Sequence, residues 1–343
     1  MLIARAGIGR ARIWALTDGK VGMVAQAMGL AEAIADGEVP VECRTVRLRR
    51  PWRWLPPQAW PPLWLGQGLI GAGPDGDTIA PPWPDILVSC GRNAVGPALG
   101  IKRRNGGRTF LVHIQHPRLP LRWFDLIAAP AHDELTGSNV MVTQGAVHRV
   151  TPARLAEAAE IFRPALAHLP RPLVAVLIGG SNKTFRLTRE TMEALAAQLA
   201  GLVRTQGAGL AVTASRRTGA ENEALLRRAL TGLPASVWDG QGDNPYLGYL
   251  ALADAIIVTG DSVNMVSEAA ATGKPVHVVH LDGHNAKFAR FHAGMERIGV
   301  TRPFRGRLEN WTYRPPGDTA AVAAEVRRRL AQQPASAARQ VGA

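Results

Sequence analysis

The densest group of potential ligand contacts is Ile178-Gly179-Gly180-Ser181-Asn182-Lys183-Thr184-Phe185. It follows an apolar run and precedes a helical pattern. Glycines let the backbone approach a ligand closely, and the first amides of a helix favour an anion. Ser181, Asn182, Lys183 and Thr184 add donors suited to phosphate oxygens. The spacing matches neither a P-loop nor a dinucleotide fingerprint, which argues against an NAD cofactor, and no cofactor is expected. The competing reading is a plain strand-to-helix turn capped by Ser or Asn.

A second turn of this kind is Val258-Thr259-Gly260-Asp261-Ser262-Val263-Asn264. Both join a strand to a helix, so both are expected at the carboxyl edge of one parallel sheet, where ligands bind in such folds. Asp261, Ser262 and Asn264 are its candidate contacts. Glu268 lies on the helix that follows, where a carboxylate can accept both hydroxyls of a ribose. Taken alone, Glu268 reads first as a solvated helix-face residue. Thr213, Ser215, Arg216 and Arg217 end an intervening strand and would flank the same crevice. Trp238-Asp239-Gly240 follows a short strand and offers a surface on which a base could stack.

In the first half, Asp18, Gly19, Lys20 and Gln26 surround one strand-to-helix turn, and Gly91, Arg92 and Asn93 surround another. In His113-Ile114-Gln115-His116-Pro117-Arg118, strand alternation sets His113 and Gln115 on one face and Ile114 and His116 on the other. The two histidines therefore do not form a metal pair, and no metal site is expected. Asp18 or His116 could serve as general base toward an acceptor. Each suits a turn-capping or loop-orienting role more readily.

The elements that must position these residues alternate along the chain. Strands are expected at Arg12–Leu16, Val41–Leu48, Asp85–Ser89, Thr109–Ile114, Phe124–Ala128 and Asn139–Thr143, with helices between and one at Ala153–Leu166. After Leu169-Pro170-Arg171-Pro172 the alternation restarts. Strands are expected at Leu173–Ile178, Leu210–Ala214, Ala255–Thr259 and Val276–His280. Helices are expected at Thr188–Val203, Ala220–Leu230, from Val263, at Ala286–Ile298 and at Asp318–Leu330. Strand, crossover, strand in this order implies parallel sheets with helices on both faces. The expected domains are 1–168 and 169–343, with the last helix free to pack back on the first.

The length of 343 residues suits two domains. A hydrophobic share of 46% supports packed cores. No apolar run of about 18 residues is present, so no membrane span is expected. The start reads as a short basic tail, not a signal peptide. Cys43 and Cys90 are the two cysteines, which excludes a disulfide framework and suits a reducing compartment. The net charge of +13 favours anionic partners, or reflects an Arg-rich proteome. No nucleic-acid recognition motif accompanies it, and no nucleic acid is expected as partner. Residues 51–84 form a Pro-rich insertion holding Trp52, Trp54, Trp60, Trp64 and Trp83, with Arg47, Arg49, Arg50 and Arg53 near its start. Packing onto the first domain is the favoured reading, and contact with an anionic membrane surface is the alternative.

Together, Thr17-Asp18-Gly19 with Gln26, Cys90-Gly91-Arg92, His113 to Arg118, Phe124-Asp125, Gly179 to Asn182, Thr213 to Thr218 and Thr259 to Glu268 resemble the mitochondrial-fission family. That family includes the plant elongated-mitochondria factor and many bacterial relatives. The resemblance runs from Ile13 to the final helix. With no mitochondrial transit segment ahead of it, the chain is expected to be a bacterial member, cytoplasmic and peripheral at the inner membrane. The plant member's association with recruiting a dynamin-like fission protein implies a noncatalytic adaptor as one function.

More distantly, the second half resembles the donor domain of GT-B glycosyltransferases, including the enzyme that adds N-acetylglucosamine to the lipid-linked peptidoglycan precursor. That resemblance implies an α/β fold of two doubly wound Rossmann-like domains facing across a cleft. It also implies a UDP- or GDP-type sugar nucleotide as ligand, with diphosphate on Gly179, Gly180, Ser181, Asn182, Ser262 and Asn264 and ribose on Glu268. The leading expectation is a metal-independent glycosyltransferase acting on an envelope or lipid-linked acceptor. Amides and Lys183 or Arg216 would stabilise its leaving diphosphate. An epimerase or other nucleotide-sugar enzyme is a third reading. The departure from the pattern is that no catalytic base stands out in the first domain.

Overall fold

A computed structural model describes residues 8–48, 54–59 and 76–332. Of the insertion's features, Trp52, Trp60, Trp64, Arg49, Arg50 and Arg53 lie outside the described residues. Two compact units emerge: residues 1–149 with 317–343, and residues 150–316.

The first unit holds β1 (Ile13–Thr17), α1 (Val21–Ala35), β2 (Val41–Thr45), β3 (Ile86–Cys90), α2 (Arg92–Arg104), β4 (Phe110–Ile114), β5 (Leu126–Pro130) and β6 (Val140–Thr143). The strands form one parallel sheet in the order β2-β1-β3-β4-β5-β6. Its central strands are buried throughout, so they read as continuous apolar runs rather than as alternation. Successive residues still feed opposite faces. Ile13, Ala15, Ile86 and Val88 pack under α1, while Trp14, Leu16 and Leu87 pack under α2. Trp83 meets Trp14 edge-on at 6.4 Å, so this part of the insertion packs on the unit, whereas Trp54 is exposed.

The second unit holds α3 (Pro152–Leu166), β7 (Leu173–Ile178), α4 (Arg189–Gln206), β8 (Gly209–Ala214), α5 (Ala220–Ala229), β9 (Ala235–Val237), α6 (Tyr246–Leu252), β10 (Ala255–Thr259), α7 (Val263–Ala270), β11 (Val276–Val279), α8 (Ala286–Arg297) and β12 (Thr301–Pro303). Its sheet is also parallel, in the order β12-β11-β10-β7-β8-β9. From β7 the chain winds outward through β8 to β9, then returns to lay β10 on the other side of β7. The strand order therefore reverses between β7 and β10, which makes their carboxyl ends the switch point of this unit.

The units divide at 149/150 and not at 168/169. Leu155, Ala159 and Phe162 of α3 pack against the second unit's core, which draws that helix across the expected boundary. The final helix, α9 (Asp318–Gln332), belongs to the first unit, where Val322, Ala323, Val326 and Leu330 join the core beside α1.

Candidate functional site

The turns after β7 and β10 meet at the switch point, and one carboxylate ties them together. Asp261 is 2% exposed. Its Oδ2 accepts the Gly180 amide at 3.2 Å and pairs with Arg217 at 2.8 Å. Its Oδ1 accepts the Thr259 hydroxyl at 2.7 Å, and Thr259 in turn accepts the Gly179 amide at 2.7 Å. A buried carboxylate loses its hydration and persists only with such donors around it. The two glycines are required here: a Cβ on Gly179 would lie 2.2 Å from Asp261 Oδ1, and one on Gly180, at φ 146°, 2.1 Å from the Arg217 carbonyl oxygen.

This closure corrects several expected roles. The Gly179 and Gly180 amides are given to Thr259 and Asp261, the Ser181 amide to the Arg217 carbonyl at 3.1 Å, and the Asn182 amide to Phe185 at 2.9 Å. None of the four is left pointing at an anion. The helix expected from Thr188 begins at Arg189, capped by Thr188, whose side chain accepts the Thr191 amide. Asn182 folds its own loop: its side-chain oxygen accepts from Thr184 and Phe185, and its amide donates to the Asp261 carbonyl. Ser215 donates to the Gly179 carbonyl at 2.6 Å, as does the buried Thr218. Asp261 is likewise turned inward, and these residues build the crevice.

What faces outward is a smaller set. Ser181 accepts the Leu187 amide at 3.0 Å, which leaves its hydroxyl proton to donate. Lys183 and Arg216 are exposed and form no ion pair among the described residues. Arg217 is held against Asp261 with its side chain 39% exposed, so its remaining donors reach solvent. Ser262 caps α7 by accepting the Met265 amide at 3.3 Å, and Asn264 lies in the first turn of that helix. Glu268, on the same helix, is partly buried: the Tyr246 hydroxyl donates to its Oε2 at 2.6 Å. Burial pushes its carboxyl up to about 7, against the downward pull of that hydrogen bond. Its position is not the solvated helix face that composition alone suggests.

Tyr246 is the contact that residue types alone do not single out, and Arg217 is expected only as one of several residues flanking the crevice. Arg216 and Arg217 are adjacent arginines, and only the turn's geometry decides which one reaches Asp261. Tyr246 opens a short helix after Asn244-Pro245, a chain-reversal signal whose partner 22 residues on is not legible locally. Trp238 follows β9 as expected and donates its indole N–H to the Gln241 carbonyl at 2.8 Å.

In the first unit, the order reverses between β1 and β3, and the turns holding Asp18 and Asn93 end those strands. Asp18 accepts from Asn93 at 3.0 Å and pairs with Lys20. His116 is exposed, and its Nδ1 accepts the Arg118 amide at 2.9 Å, a loop-orienting bond. They end β1 and β4, two places apart in the sheet. His113 is buried against Ser89 and Phe124, and burial holds its imidazole down to about 3. Among the described residues, no group of three His, Cys, Asp or Glu side chains could hold a metal, and no helix is long and apolar enough to cross a membrane.

The family model for mitochondrial fission ELM1 matches residues 21–330. The chain belongs to the mitochondrial fission ELM1 family. It is 36% identical over 275 residues to mitochondrial fission protein ELM1 of Arabidopsis thaliana, covering 72% of this chain but 64% of that protein, just under two thirds of its length. It is 25% identical over 351 residues to uncharacterized protein RP120 of Rickettsia prowazekii, covering 91% and 96%. Among solved structures, UDP-GlcNAc 2-epimerase from Methanocaldococcus jannaschii is similar with a TM-score of 0.51 at 11% identity, over 94% of this chain and 93% of that one. The same enzyme in complex with UDP-GlcNAc and UDP gives 0.50 at 9% identity, over 92% and 99%. That likeness is one of fold: this ELM1-family chain has two Rossmann-like units of the GT-B kind.

Proposed function

We propose that the second unit binds a nucleoside-diphosphate sugar at the β7/β10 switch point. The observation that carries the reading is the convergence there of two cross-tied turns with a helix that presents Ser262 at its cap and Glu268 beyond. In this reading Arg217, Lys183, Arg216 and Ser181 face the diphosphate, together with the start of α7, and Glu268 accepts the ribose hydroxyls. Asp261 acts indirectly, by holding Arg217 and both turns. Support from fold comes from the Methanocaldococcus enzyme, whose structure is a complex with UDP-GlcNAc and UDP.

The reaction we assign is sugar transfer by a GT-B-type glycosyltransferase to an envelope or lipid-linked acceptor, the diphosphate leaving against the cations of the second unit. Asp18 is the candidate base on the first unit. Isothermal calorimetry against UDP- and GDP-sugars tests the binding step, and release of UDP or GDP on adding lipid acceptors tests transfer. Similarity to a protein named for mitochondrial fission favours one second reading, an adaptor whose basic surface meets an anionic membrane. Co-sedimentation with vesicles containing phosphatidylglycerol, in the absence of sugar-nucleotide binding, is the result that selects it.

A further inference from the structure

The Tyr246–Glu268 contact carries an inference of its own. Tyr246 begins α6, Glu268 sits on α7, and both residues are partly buried. A phenol has a single proton. Donated to Oε2 at 2.6 Å, it leaves the phenol oxygen as an acceptor and leaves about three of the carboxylate's four lone-pair sites open. Two adjacent acceptors fixed in this way match the two adjacent hydroxyls of a ribose. A protonated Glu268 would carry a donor in place of one acceptor, which weakens the match.

The surroundings leave this pair electrostatically isolated. Glu268 is the one ionisable residue of α7. That helix packs on β10, which has no ionisable side chain, and on β11. His277 of β11 lies on the opposite face from Val276 and Val278, where it accepts the Glu309 amide and meets the Trp311 ring. Tyr313 donates to the Ala270 carbonyl at the far end of α7, and Lys274 donates to the Leu250 and Ala251 carbonyls. On α6, Tyr249 is engaged by Ser236, and α3, which packs on α6 through Leu155, Ala159 and Phe162, keeps Glu157 and its Glu160–Arg163 pair exposed, with Arg154 in its first turn. Asp261, just ahead of α7, is closed by Arg217.

We propose that Tyr246 is the positioning residue of a vicinal-diol receptor, holding Glu268 ionised and oriented so that the pair accepts both ribose hydroxyls of a sugar nucleotide. The proposal rests on the nucleotide-sugar reading above and assigns how that site senses pH. Burial pushes the Glu268 carboxyl up to about 7, and the Tyr246 bond opposes it. The ionised form is the binding form, so affinity falls as pH drops through neutrality.

The test is calorimetric titration of UDP-glucose and GDP-glucose, whose diphosphates do not titrate near neutrality, into the full chain between pH 6 and 8. Wild type should bind about tenfold more weakly at pH 6 than at pH 8. In Tyr246→Phe, affinity at pH 7 should fall about tenfold and the midpoint of the pH profile should move upward, since a donor to the charged form is gone. Glu268→Gln should bind weakly with this pH dependence abolished, and thermal melts of both variants report folding separately. A 2′-deoxyribose analogue should bind wild type weakly and lose little further in Tyr246→Phe. Wild-type binding with an unchanged profile in Tyr246→Phe overturns the role of Tyr246 alone. Absence of binding to either ligand at every pH overturns the nucleotide-sugar reading and this proposal with it.

Discussion

The Arg217 guanidinium meets the Asp261 carboxylate at 2.8 Å, on the same oxygen that accepts the Gly180 amide. One ion pair thus joins three chain segments at the switch point of the second sheet: the turn after β7, the turn after β10 and the loop after β8. Because Arg217 is partly solvated and Asp261 is not, removing either partner has unequal consequences.

Arg217→Met leaves the buried carboxylate with its amide and hydroxyl donors but without its counter-charge. Urea unfolding should show a loss of about 1–3 kcal/mol, below the figure for a fully buried pair because Arg217 is partly exposed to solvent. Arg216→Met, at an exposed and unpaired arginine, should stay within about 0.5 kcal/mol of wild type. Equal effects of the two substitutions would contradict the distinction between them.

Asp261→Ala should cost about 3 kcal/mol or more, since the Gly180 amide and Thr259 hydroxyl lose their acceptor inside the protein. Sugar-nucleotide affinity should fall with it even at temperatures where the variant is folded. Full binding by a folded Asp261→Ala protein would show that the cross-tie does not shape the site.

Ser262→Ala removes the cap of α7. A loss of about 1 kcal/mol is expected in thermal or denaturant unfolding. If Ser262 also faces the diphosphate, affinity should drop in the same variant, whereas Thr188→Ala, which uncaps α4, should lower stability without that second effect.

His113 gives the fold a pH dependence of definite sign. Its folded value, near 3, lies below its ordinary 6.5, so the folded state binds fewer protons between these limits. Stability is therefore present above pH 6.5 and is lost as pH falls toward 3. The loss by pH 5 should be on the order of 2 kcal/mol, and His113→Asn should flatten that slope in urea titrations at pH 7.5 and 5. A stability that rises on acidification would contradict the assignment.

Much of the frame was legible in the residues. Apolar runs such as Leu173–Ile178 and Ala255–Thr259 end at Gly-Gly-Ser and Gly-Asp-Ser, and a parallel sheet brings such ends to one edge. The direction of individual groups was not legible. Asp261 looks like an outward ligand until Thr259, Gly180 and Arg217 close around it, and Ser215 and Asn182 look free until their turn partners are known. Elements of few residues also escape periodicity: α6 spans seven residues, and β12 spans three and ends in proline. The helix α3 follows its packing partners and not the prolines behind it, which moved the boundary.

Sugar-nucleotide binding at the β7/β10 switch point is tested most simply by calorimetric titration of UDP- and GDP-sugars into the wild-type chain, with Arg217→Met and Glu268→Gln alongside. Saturable, one-to-one binding of at least one sugar nucleotide is expected, weakened about tenfold or more in both variants. Absence of heat and of thermal stabilisation with every sugar nucleotide, or binding untouched by both substitutions, would contradict it.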